Sequence, residues 1–117
     1  MVRIAHYINQ FFAGIGGEDK ADAPFEVREG AVGPGRAIEM AVGDGAEIVQ
    51  TLVCGDNSFH ADTEAILDRV VAALEESRPD LLIAGPAFNA GRYGLACGAV
   101  CSAASERLDI PSITGVY

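Results

Sequence analysis

Residues 62–84 read DTEAILDRVVAALEESRPDLLIA. Ile66, Leu67, Val70, Val71 and Leu74 recur at the offsets of one helical face, while Asp68, Arg69, Glu75 and Glu76 fall elsewhere. This spacing predicts a helix over 62–78, with Asp62 or Thr63 capping its first turn and Pro79 closing it. Immediately after it, Leu81-Leu82-Ile83-Ala84 is a continuous apolar run bounded by Asp80 and Gly85-Pro86, the pattern of a strand covered on both faces. A helix leading straight into such a strand is the building unit of a parallel sheet.

The same alternation extends in both directions. Toward the C-terminus, 90–108 carries Ala96, Cys97, Val100, Cys101, Ala104 and Leu108 along one side and reads as a helix with a small-residue packing face. Residues 110–115 then return to β-branched apolar character as a further strand. Toward the N-terminus, 2–8 reads as the first strand and 46–54 as the second, the latter ending at the turn signal Gly55-Asp56-Asn57. A short helix fits 36–42, between Pro34 and Gly43. The long stretch 9–35 shows no periodicity and reads as a folded loop, its acidic run 18–22 a solvated surface. The pattern implies an α/β fold of the three-layer, doubly wound class, Rossmann- or flavodoxin-like, with a mainly parallel sheet of about four strands.

Composition narrows the function classes. With 117 residues, half of them hydrophobic, the chain has the core of a single domain over 1–117. Eight Lys and Arg against 17 Asp and Glu give a net charge of −9, which argues against a nucleic-acid groove or an anionic-membrane patch, since both need a basic surface. No apolar run approaches the roughly 20 residues needed to span a bilayer, and the start lacks a signal-peptide pattern, so a cytoplasmic location is expected. Three cysteines, Cys54, Cys97 and Cys101, are an odd and sparse set and read as reduced thiols.

Doubly wound sheets bind ligands beyond the carboxyl ends of their strands, which here gathers the loops after Ile8, Cys54, Ala84 and Gly115. The glycine-rich turn 85–94 opens into a helix, so its backbone N–H groups and Arg92 suit a carboxylate or phosphate. The plainer alternative gives Gly85, Gly91 and Gly94 turn and packing roles and makes Arg92 a surface cation. Gly14-Ile15-Gly16-Gly17 and Gly33-Pro34-Gly35-Arg36 match neither a dinucleotide fingerprint nor a P-loop. They read as loop glycines that permit positive φ, with Phe11 and Phe12 tucked against the sheet. Cys97 and Cys101 lie four apart on one helical face, but His6 and His60 offer no zinc-like spacing, so no metal site is expected. Cys54, at a strand's carboxyl end, is the candidate reactive thiol, with a core role as its alternative.

Four blocks in order carry a family likeness: His6 through Glu18, Gly33-Pro34-Gly35-Arg36-Ala37, Cys54-Gly55-Asp56-Asn57, and Ala84 through Gly94 with Ala96 through Cys101. Together they resemble selenoprotein B, the gamma-type subunit of glycine, sarcosine and betaine reductases. The resemblance covers essentially the whole chain and implies that it is the N-terminal part of a longer reductase subunit. It further implies reductive C–N bond cleavage in anaerobic amino-acid fermentation, with a selenocysteine later in the polypeptide and a pyruvoyl group on a partner subunit. Selenoprotein A and the other reductase subunits are the implied partners, in an oligomeric assembly.

No selenocysteine occurs among these 117 residues, so no cofactor is expected within them. The motif positions carry over as candidates for contact with a small amino-acid or betaine substrate: Asn9, Gln10, Gly16, Gly17, Arg36, Asp56, Asn57, Asn89, Arg92 and Tyr93. Arg92 is the expected partner of the substrate carboxylate. Two other readings stand beside this one: a stand-alone module that binds a small carboxylate without redox activity, and a purely structural oligomerisation domain.

Overall fold

The computed structural model describes residues 1–87 and 91–116. Among the described residues, five strands and four α-helices follow one another: β1 (Val2–Asn9), β2 (Glu26–Glu29), α1 (Gly35–Val42), β3 (Ala46–Cys54), α2 (Asp56–Ala61), α3 (Thr63–Ser77), β4 (Leu81–Ala87), α4 (Gly91–Leu108) and β5 (Ser112–Val116). The five strands form one sheet in the order β2-β3-β1-β4-β5. β1 lies parallel to both β3 and β4, β4 lies parallel to β5, and β2 alone runs antiparallel, against β3. The chain is therefore α/β with a mostly parallel sheet.

The sheet has five strands where the sequence implies four. The extra strand, Glu-Val-Arg-Glu at 26–29, lacks any apolar run and alternates between half-buried and exposed positions. Backbone pairing with Val53, Leu52, Thr51 and Gln50 holds it at the sheet edge, so its formation depends on β3 rather than on its own side chains. Arg28 adds an ion pair to Glu26 at 2.8 Å and a hydrogen bond to the Ala13 carbonyl at 3.3 Å, tying this edge to the loop after β1.

Central strands are buried on both faces. Ala5, Tyr7, Leu52, Cys54, Leu82 and Ala84 face a core completed by Leu67, Val70 and Leu74 of α3 and by Ala96, Cys97, Val100 and Ala104 of α4. Burying each large aliphatic side chain contributes roughly 1.5–3 kcal/mol, and the small residues of α4 let that helix approach the sheet closely. α1 packs through Gly35 against Ile48 and His6. His6 is fully buried in β1, and its Nε2 donates to the Gly85 carbonyl at 2.6 Å, an assignment the acceptor dictates. Burial holds its pKa below the ordinary value, with the Gly85 bond opposing.

The helices fall close to the sequence expectation, with two corrections. α2 was not legible as a helix, because 55–61 carries turn signals and no apolar periodicity. Since α2 runs almost directly into α3, neither Asp62 nor Thr63 makes a side-chain cap; the Thr63 hydroxyl donates instead to the Phe59 carbonyl at 2.9 Å. α3 ends where expected: Arg78 turns left-handed, its N–H bonds to Leu74 O at 2.8 Å, and Pro79 follows. The expected start of the last helix, Ala90, lies outside the described residues.

Candidate functional site

The carboxyl ends of β1 and β3 meet through a short polar lattice. β1 ends in Asn9, followed by Gln10, and β3 delivers Gly55 and Asp56 into α2. Asn9 Nδ2 donates to Asp56 Oδ2 at 3.0 Å, while Asn9 Oδ1 accepts the Phe12 N–H at 3.1 Å. Gln10 Oε1 accepts the Asp56 N–H at 3.0 Å, and Gln10 Nε2 donates to the Gly17 carbonyl at 3.3 Å. Partners of opposite character at each end settle both amide orientations. The lattice also needs Gly55: a Cβ there would run into the Ala21 carbonyl and the Ala23 backbone.

Above this lattice lies a cavity of about 450 Å³, lined by Asn9, Gln10, Phe11, Phe12, Gly17, Glu18, Asp56 and Tyr93. It occupies the strand ends where the sequence places the crevice. A second groove, of about 420 Å³, runs along Arg3, Arg28, Gln50 and Ser77 and contains none of the expected residues.

Asp56 is 7% exposed. Burial raises its pKa above the ordinary carboxylate value; the Asn9 hydrogen bond, Arg92 and His60 oppose the rise, and Glu18 adds to it. Its second oxygen, Oδ1, has no hydrogen-bond partner among the described residues. Tyr7, Phe59 and Tyr93 pack together, with the Tyr7 ring 6.1 Å from Phe59 and 6.4 Å from Tyr93. Burial also drives both tyrosine hydroxyls well above their ordinary pKa, so they remain protonated donors.

Five of the expected residues, Asn9, Gln10, Gly17, Asp56 and Tyr93, line the one cavity. Arg92 stands beside it, but its guanidinium is engaged by Glu18. Neither Gly16, the neighbour of Gly17, nor Asn57 lines the cavity; the Asn57 backbone N–H bonds to Ala21 O at 2.9 Å. Arg36 is exposed in the first turn of α1, against β3, and does not reach the cavity. Asn89 lies outside the described residues.

Three lining residues were missed. Phe11, expected against the sheet, is 60% exposed at the rim, where it meets Phe12 edge-on at 5.2 Å. Phe12 is half-buried and packs on Tyr93 at 5.6 Å. Glu18 sits in the run read as plain solvated surface, and only its Arg92 partner, 74 residues away, reveals its place.

Cys54 is fully buried, and burial, reinforced by Asp56, pushes its thiol up to about 12. At neutral pH it is a protonated core thiol. Cys97 is likewise buried and pushed to about 12, while Cys101 is half-buried. Among the described residues, no group of three or more His, Cys, Asp or Glu can hold a metal ion, and no helix is long and apolar enough to cross a membrane.

Comparison with known proteins agrees with the likeness seen in the motifs. The profile of glycine/sarcosine/betaine reductase selenoprotein B matches residues 1–117. The chain belongs to the selenoprotein B family. It is 51% identical over 116 residues to a sarcosine reductase complex component B subunit beta of Peptoclostridium acidaminophilum, covering 99% of this chain and 27% of that one. A glycine reductase complex component B subunit gamma of Symbiobacterium thermophilum is 53% identical over 116 residues, with the same coverage. A betaine reductase complex component B subunit beta of Peptoclostridium acidaminophilum is 41% identical over 111 residues, 95% of this chain and 25% of that one. The chain thus spans about a quarter of the length of these selenoprotein B relatives. No solved structure matches it.

Proposed function

We propose that these residues form the N-terminal domain of a component B subunit of a glycine, sarcosine or betaine reductase, and that the cavity above Asp56 holds the small substrate. The observation that carries this reading is the convergence of Asn9, Gln10, Gly17, Asp56 and Tyr93, all in the family-like blocks, on one cavity at the strand ends. Renumbering only the parallel strands gives the order 2-1-3-4, which supports the doubly wound, flavodoxin-like class, with the cavity beside its switch point between β1 and β4. In such a domain the chain's part is to bind and orient. The redox groups of the reductase, a selenocysteine and a partner's pyruvoyl group, lie outside these residues, and the buried thiols here offer no thiolate in their place.

The remaining subunits of the reductase are the partners this reading requires, as the relatives' designation as complex components supports. No observation favours the stand-alone carboxylate-binding module or the purely structural domain over it. The test is a titration of the isotopically labelled chain with glycine, sarcosine and betaine, followed by amide shifts. At least one of the three is expected to produce saturable shifts centred on Asn9, Gln10, Asp56 and Tyr93. Absence of shifts from all three would remove the substrate-binding role.

A further inference from the structure

We infer that the cavity receives the ammonium end of its ligand rather than the carboxylate end, with Asp56 as the group that selects it. This deepens, and rests on, the substrate-binding reading above. The argument is an inventory of donors and acceptors. Asn9 Nδ2 donates one N–H to Asp56, and Gln10 Nε2 one to the Gly17 carbonyl, so each amide has one of its two N–H groups committed to the lattice. The Arg92 guanidinium, which the sequence assigns to a carboxylate, is engaged by Glu18. Among the described lining residues there is no Lys, Arg or His, and two are acids, Glu18 and Asp56. Two buried side-chain atoms of the described lining are left without a partner: the Tyr93 hydroxyl, which can donate or accept, and Oδ1 of Asp56, an acceptor on a residue 93% buried. An anion entering this cavity would meet two carboxylates and no cationic lining residue, whereas an ammonium would supply the hydrogen bond that Asp56 Oδ1 lacks and neutralise a buried charge.

The aromatic wall refines the class of cation. Phe12 and Tyr93 lie 5.6 Å apart with their rings tilted by 33°, so they pack on each other and form one side of the cavity. A box of separate rings, the arrangement that encloses a trimethylated ammonium, would need space between them. Asp56 Oδ1 in turn requires an N–H donor, which a fully methylated nitrogen lacks. The structure therefore assigns the site to primary or secondary ammonium groups before quaternary ones.

The experiment separates the two ends of the zwitterion. The labelled chain is titrated with methylammonium chloride, tetramethylammonium chloride and sodium acetate at matched ionic strength. Methylammonium is expected to shift the amides around Asn9, Phe12, Asp56 and Tyr93 saturably, tetramethylammonium more weakly, and acetate not at all. Asp56→Asn is expected to weaken methylammonium binding about tenfold or more. Should that variant fail to fold, the contrast between methylammonium and acetate on the unmodified chain decides. Acetate shifting these amides in place of methylammonium, tetramethylammonium binding as well as methylammonium, or Asp56→Asn binding unchanged would each overturn the inference while leaving the substrate-binding reading intact. Silence toward glycine, sarcosine and betaine would defeat that reading itself.

Discussion

Asn9 Nδ2 donates to Asp56 Oδ2 across 47 positions of sequence, at 3.0 Å and out of contact with solvent. This bond joins the ends of two neighbouring parallel strands and is the hinge on which the cavity floor is built. Asn9 also caps the Phe12 N–H through its oxygen, so one side chain fixes both a carboxylate and the turn that carries the aromatic wall. Asn9→Ala is expected to lower stability by about 1–3 kcal/mol, because a buried carboxylate oxygen and a backbone N–H lose their partners together. Urea unfolding measures it; a change within a few tenths of a kcal/mol of zero would show the lattice to be dispensable.

The buried carboxylate leaves a signature in the pH dependence. Asp56 has a raised pKa in the folded chain, so in the window between its ordinary value of 3.8 and that raised value the folded state binds more protons than the unfolded one. Its contribution to stability consequently falls as pH rises through the window. Burial is the main cause, with Asn9, Arg92, Glu18 and His60 acting on the same group. Relative to the unmodified chain, Asp56→Asn should therefore gain stability as pH rises from about 3 to 8. Unfolding midpoints of the two proteins across that range give the difference directly, and a difference that declines with pH would contradict the direction of the shift.

Two glycines with unlike surroundings should respond in opposite senses to the same substitution. At Gly55 a methyl group would strike the Ala21 carbonyl and the Ala23 backbone, neither of which is a flexible side-chain end. Gly55→Ala is expected to cost about 1–3 kcal/mol. Gly98 lies within α4 with open space where a Cβ would stand. Gly98→Ala is expected to stabilise by roughly 0.5–1 kcal/mol, since alanine loses less backbone freedom in a helix. Thermal melts of both variants check the pair.

Thiol reactivity should follow burial. Cys54 and Cys97 are fully buried with their thiols pushed up to about 12, whereas Cys101 is half-buried beside Ser102 and Ser105. Under native conditions at neutral pH, iodoacetamide is expected to label Cys101 first and to leave the other two protected until unfolding. Site-resolved mass spectrometry reads the order; early labelling of Cys54 would reinstate it as a reactive thiol.

Much of this molecule was legible in its sequence, and the limits are physical. The apolar spacing of Leu67, Val70 and Leu74 and the run Leu81-Leu82-Ile83-Ala84 encode α3 and β4 locally, because each buries its own side chains against the core. The blocks containing Asn9, Asp56 and Arg92 marked the strand ends where the cavity lies, since loops there carry residues that neither periodicity nor packing requires. What escaped was whatever depends on a distant partner. β2 exists through backbone pairing with β3, which its charged sequence does not announce. Glu18 became a cavity residue by meeting Arg92, and that same ion pair occupies one nitrogen of the guanidinium. The sequence by itself determined the α/β alternation, the acidic balance and the end of the sheet at which the cavity lies, all local or compositional properties. The tertiary structure alone decided which polar groups are already paired and which, Asp56 Oδ1 among them, are left open, because hydrogen-bond saturation is set by neighbours brought together from across the chain.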